Sequence, residues 1–121
     1  VGCGIGIERL MLLMKEQNVK IPKNKKPSIF LIQLGDLARK KSFKLFEELR
    51  RAGLLVIEAI GKNSIKSQLK MADRMMVPVA LIFGQKEVLD STIIIRDMIS
   101  GVQEVVPLEK IIPQIKKYLK K

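Results

Sequence analysis

Two apolar runs, SIFLIQL at 28–34 and VPVALIF at 77–83, each stop on a glycine, and neither leaves a polar face for solvent. A strand buried on both sides reads this way, because helices must then cover both faces of its sheet. The chain between the runs supplies those helices. Over Leu37–Ala52, Ala38, Leu45, Leu49 and Ala52 line one side, while Lys44–Glu48 and Glu47–Arg51 form i,i+4 pairs on the other. Gly53 follows as the stop. LLVIEA at 54–59 is a second strand, and Asn63 or Ser64 caps a helix that buries Ile65, Leu69, Ala72 and Met76. The order is βαβαβ with short connections, and the right-handed crossover rule makes the three strands parallel.

The pattern then changes. STIIIRD and VQEVV flank MISG, whose Ser100-Gly101 supplies turn residues, so they read as an antiparallel hairpin. Pro107 is expected to start a closing helix, with a kink or a break into two short helices at Pro113. The fold class is α/β: a five-stranded mixed sheet, three parallel strands plus the hairpin, flanked by three helices. Upstream, IERLMLLMKEQ is an amphipathic helix whose Ile7, Leu10, Met11 and Met14 require a partner surface. NVKIPKNKKP then lacks periodicity and reads as a linker.

Charge narrows the function. Lysine and arginine number 23 against 12 acidic residues, a net charge of +11 over 121 residues. Such a surface attracts polyanions across roughly a Debye length, about 8 Å at physiological salt. Nucleic acid is the first candidate partner. Aromatic residues at only 4%, with Phe30 and Phe83 inside core runs, argue against a platform of stacked aromatics. One cysteine and no histidine exclude an internal disulfide and a Cys/His metal site. No apolar run is long enough to cross a bilayer and no secretory leader opens the sequence, so a cytoplasmic location is expected.

Several clusters are candidates for chemistry. Gly2, Gly4 and Gly6 are spaced GxGxG, which is not the dinucleotide fingerprint. Arg9, one turn into the helix, is either a phosphate contact or a surface arginine. Asp36 reads as an N-cap. Lys66, Lys70 and Arg74 recur every four residues, away from the apolar stripe, and form a basic ridge with about 6 Å between charges. It suits phosphates or is simply solvated. In GQKEVLDSTIIIRD, Glu87 and Arg96 are expected to meet at one rim of the sheet. There they either read base edges or pair with each other.

These residues resemble a known family. VGCGIGIERL is similar to motif 3 of class II aminoacyl-tRNA synthetases, in the form typical of the histidyl enzymes. LARKKSFKLFEELRRAGL, IKSQLKMADRMMVPVALIFGQKEV and TIIIRDM resemble the anticodon-binding domain of the same family. The resemblance implies that residues 1–18 end a catalytic domain, 19–27 link, and 28–121 bind the anticodon. It implies ATP contacts at Gly4, Gly6 and Arg9, and tRNA contacts at Glu87, Arg96, Asn63, Lys66, Gln68, Lys70 and Arg74. The family joins histidine to tRNA(His) with ATP and magnesium, and its dimer contacts lie mainly in the catalytic domain. This chain, lacking motifs 1 and 2, is expected to be inactive alone and to bind no cofactor. Cys3-Gly4 stands where Phe-Ala is usual, and Gln85 where an acidic residue is common. The alternatives are a non-catalytic paralogue, such as a regulatory subunit of ATP phosphoribosyltransferase or a sensor of uncharged tRNA, and a stand-alone interaction domain.

Overall fold

The computed structural model describes residues 1–20, 26–59, 61 and 64–120, without the side chain of residue 120. Five strands form one sheet in the order β2-β1-β3-β4-β5: β1 Ile29–Leu34, β2 Val56–Glu58, β3 Val79–Gly84, β4 Thr92–Asp97 and β5 Gln103–Pro107. β2, β1 and β3 are parallel, while β4 and β5 return antiparallel. All six residues of β3 are buried, as its unbroken apolar run requires.

Strand alternation splits the core in two. Ile29, Leu31, Leu81, Phe83, Ile93, Ile95 and Val106 face α2 (Asp36–Arg51) and α5 (Ile111–Lys120). Phe30, Ile32, Ala80 and Ile82 face α3 (Ile65–Arg74), which packs on β1. α2 closes with a Schellman pattern. Leu54 N–H donates to the Leu49 carbonyl, Gly53 N–H donates to that of Arg50, and Gly53 turns at φ 80°.

Several local expectations shift. α2 is capped by Gly35 at φ 90°, so Asp36 is its first helical residue rather than its cap. Glu47 pairs with Arg50 at 3.9 Å, one turn position earlier than the expected Arg51, whereas Lys44–Glu48 forms at 4.0 Å. α3 ends at Arg74. Met76 turns the chain at φ 51° and is 86% exposed, so Val77 takes the buried place expected for it. Ile65 is also exposed and Leu69 half-buried, because the helix rotates Gln68 and Ala72 toward β1. After Pro107 a 3₁₀ turn, Leu108–Lys110, precedes α5, so Pro113 falls in the first helical turn, where no hydrogen bond is lost. A short helix, α4 (Gln85–Leu89), was not expected.

α1 (Ile7–Glu16) buries none of its residues. Ile7, Leu10 and Met11 are exposed and only Met14 is half-buried, so its apolar stripe finds no cover among the described residues. No described helix is long and apolar enough to cross a membrane.

Candidate nucleic-acid interface

The basic ridge forms as its spacing predicts. Lys66, Lys70 and Arg74 are all exposed on the outer side of α3. None of the three makes an ion pair among the described residues. Ser64 caps the helix, its Oγ accepting from Ser67 N–H at 3.2 Å. Asn63, the other candidate cap and an expected RNA contact, lies outside the described residues.

Gln68 does not join that ridge. It is 1% exposed, and its amide is committed at both ends: Nε2 donates to the Gln33 carbonyl at 2.8 Å, and Oε1 accepts from Gln33 N–H at 3.1 Å. The β1–β2 register ends at Leu31↔Glu58, so this amide substitutes for the neighbour strand that Gln33 lacks. The expected RNA contact is therefore a bracket between helix and sheet. Its spacing from Ala72, one turn on, was the available signal.

Glu87 and Arg96 do not meet. Glu87 sits in α4, half-buried, its Oε2 accepting from Gly84 N–H at 3.0 Å. Arg96 lies opposite Ala80, near the other end of β3. Four residues of strand, Ala80 to Gly84, separate the two places by about 13 Å. The hairpin is antiparallel, so a residue early in the turn region and one late in β4 must lie at opposite ends. The common rim expected from sequence is corrected on this geometry.

The ridge connects those ends. Gln68 ties the start of α3 to the C-terminal end of β1, beside Gly84 in the paired strand. At the far end, Asp73 and Met76 line a depression with Pro78, Met98 and Ile99, just beyond Arg96. From Lys66 to Arg74 the helix rises about 12 Å, matching the separation of Glu87 and Arg96. Arg96 itself is half-buried and makes no ion pair among the described residues. Its Nε is sealed from solvent and makes no hydrogen bond among the described residues. A sealed guanidinium N–H costs stability unless an acceptor arrives.

The glycines at the start of the chain form no cradle. Residues 1–10 are exposed, and a Cβ at Gly2 or Gly4 would meet nothing within 4 Å. Gly4, Gly6 and Arg9 do not by themselves fit a nucleotide in this structure. Among the described residues no group of three His, Cys, Asp or Glu is placed to hold a metal ion.

A mixed α/β sheet with an uncompensated basic face defines a polyanion-binding module. Comparison with known proteins makes it specific: the sequence profile described as the anticodon binding domain matches residues 21–118, and the chain belongs to that family. Its histidine–tRNA ligase relative from Caldicellulosiruptor saccharolyticus is 37% identical over 117 residues, which is 96% of this chain and 28% of that protein. The histidyl-tRNA synthetase structure from Nostoc superposes with a TM-score of 0.74 at 25% identity, over 95% of this chain and 28% of that one. The RNA binding domain of threonyl-tRNA synthetase from Cryptosporidium parvum shares the fold, with a TM-score of 0.71 at 16% identity, over 93% of this chain and 29% of that one. The chain thus spans about 28% of the length of the histidine–tRNA ligases it matches.

Proposed function

We propose that this domain binds the anticodon stem-loop of tRNA(His) for a histidine–tRNA ligase. Residues 28–121 are the anticodon module, 19–27 a linker, and 1–18 the end of a catalytic domain. That larger protein, acting as a homodimer in the cytoplasm, uses ATP and magnesium to attach histidine, with Gly4, Gly6 and Arg9 completing its ATP site. The chain alone does not catalyse the reaction.

The observation that carries the reading is the exposed ridge of Lys66, Lys70 and Arg74, which makes no ion pair among the described residues. The ridge follows phosphates and contributes salt-sensitive affinity, while Glu87 and Arg96 read bases. Arg96 donates to acceptors such as those of guanine; Glu87, which keeps its second carboxylate oxygen beyond the bond to Gly84, accepts from amino or imino groups. Asn63 is a further contact in this reading.

The test titrates the chain against tRNA transcripts that differ only in the anticodon. Tighter binding to the GUG anticodon is expected, with a steep salt dependence. Glu87→Ala or Arg96→Ala should each reduce discrimination by about 1–3 kcal/mol. Equal affinity for every anticodon in the parent chain and both variants would overturn the reading.

A further inference from the structure

One edge of the sheet, where the parallel strands begin and the hairpin turns, exposes apolar side chains. Val56, Ile29, Val79 and Asp97 align there in register, and Gln103 opposite Arg96 completes the line. Just outside it stand Leu55 before β2, Met76 before β3, Ile99 after β4 and Val102 before β5, all exposed. Four strand intervals make this row about 19 Å long. Ile99 is 90% exposed at the hairpin turn, with a hollow on each side of the sheet. Met76, Pro78 and Met98 line the hollow on the α3 side, and Val79, Tyr118 and Leu119 the one on the α5 side.

We infer that this edge is the surface by which the module seats against the catalytic domain upstream, with Ile99 as the central anchor. The inference rests on the function proposed above, in which a catalytic domain ends near residue 18, and goes beyond it by naming the surface that joins the two parts.

Three observations favour that occupant. The first is where the chain enters. Ile29, the first residue of β1, lies between Val56 and Val79, so the polypeptide arriving from upstream joins the sheet within this apolar row. A linker of residues 19–27 reaches at most about 30 Å when extended, which holds the upstream part beside the edge at high effective concentration. The second is strain. Met76 holds φ 51°, a left-handed conformation unfavourable for a bulky side chain, and there it is 86% exposed. An exposed apolar row kept at such a cost marks a contact with protein. The third is rigidity. Asp97 Oδ1 accepts from the N–H groups of Ile99 and Ser100 at 2.8 and 3.1 Å, and the Gly101 N–H donates to the Asp97 carbonyl at 2.9 Å. Ile99 is thus held outward on a fixed turn, and a preorganised anchor loses little freedom on docking. The cover must be large, and the histidine–tRNA ligase relatives, of which this chain spans about 28%, have the remaining length to provide it.

The experiment compares thiol alkylation by iodoacetamide in this chain and in the full-length protein, for Ile99→Cys, Met76→Cys and, as a control, Phe43→Cys. Phe43 is 72% exposed on α2, over a face of the sheet and away from this edge. Labelling is read peptide by peptide, so that the exposed Cys3 is counted separately. Ile99→Cys and Met76→Cys should react about tenfold or more slowly in the full-length protein than in this chain, and Phe43→Cys within about threefold of its rate here. Adding Ile99→Asp to the full-length Met76→Cys variant should return its labelling to within about twofold of the rate in this chain, because a buried carboxylate expels the anchor. Equal labelling of Ile99→Cys in the two forms would overturn the docking surface. So would protection that appears in this chain alone as its concentration rises, which would assign the edge to a second copy. A full-length protein that protects the edge but attaches no histidine to tRNA would instead overturn the function proposed above, and one that is active with the edge unprotected would overturn the docking alone.

Discussion

Replacing Gln68 by Met separates a structural amide from an RNA-reading one. Met has nearly the same volume and fills the same space between α3 and β1, so the packing term largely cancels. What is lost is the pair of hydrogen bonds to the N–H and C=O of Gln33 at 3.1 and 2.8 Å. Each backbone group left unsatisfied costs about 1–3 kcal/mol, and both are only partly buried, so water recovers some of it. A net destabilisation of about 2–4 kcal/mol follows, a large share of the about 5–15 kcal/mol typical of whole domains. With a urea dependence of about 2 kcal/mol per molar, the unfolding midpoint should fall by about 1–2 M. Affinity for tRNA, measured where the variant is still fully folded, should not change. An unfolding midpoint within error of the parent, or an affinity loss at unchanged stability, would refute the assignment of this amide to the fold.

Three further substitutions probe the backbone and the surface. Gly35→Ala should cost about 1–3 kcal/mol in urea unfolding, because φ 90° with ψ 164° is a region glycine alone occupies readily. A Cβ there would also come within 2.8 Å of the Gln85 amide nitrogen. Met76→Gly should stabilise by about 0.5–1 kcal/mol, since Met76 holds φ 51° after α3 and is 86% exposed, and a rise of a few degrees in midpoint by calorimetry would register it. The hydrogen bond to Glu104 raises the Tyr118 phenol above its ordinary value of 10.0. A raised value in the folded state means that the contribution is complete below that ordinary value and disappears as pH climbs through the folded one. Tyr118→Phe should therefore be slightly less stable than the parent at neutral pH, by about 0.5 kcal/mol or less for so exposed a bond, and the gap should close at strongly alkaline pH.

The sheet was legible in the sequence because its strands announce themselves by continuous apolarity and its helices by a 3.6-residue stripe. SIFLIQL and VPVALIF become β1 and β3 almost residue for residue, and Gly53 stops α2 as expected. Gln68 was misread for a physical reason. Polarity usually marks a solvent face, and only the early end of β2 creates a buried backbone that demands an amide. α4 was hidden because five residues hold too little periodicity to display a stripe. The two-sidedness of β4 was hidden as well. Ile93, Ile94 and Ile95 are identical side chains, yet two lie in the core beneath α2 and α5 while the one between them faces the other way, next to Arg96.

If Glu87 and Arg96 read bases as proposed above, their separation changes what specificity requires. Had the two shared a rim, a single base could have satisfied both, and an ion pair between them would have competed with RNA. Instead Glu87 spends one oxygen on the cap of α4, and the Nε of Arg96 is sealed with no hydrogen bond among the described residues. The exposed ridge between the ends cannot discriminate sequence, because phosphates repeat identically along any strand. In the role proposed above it would fix register, along an α3 that rises about 12 Å from Lys66 to Arg74. A rigid span of this kind favours a strand whose two read nucleotides already lie the right distance apart, so loop conformation, as well as base identity, enters recognition.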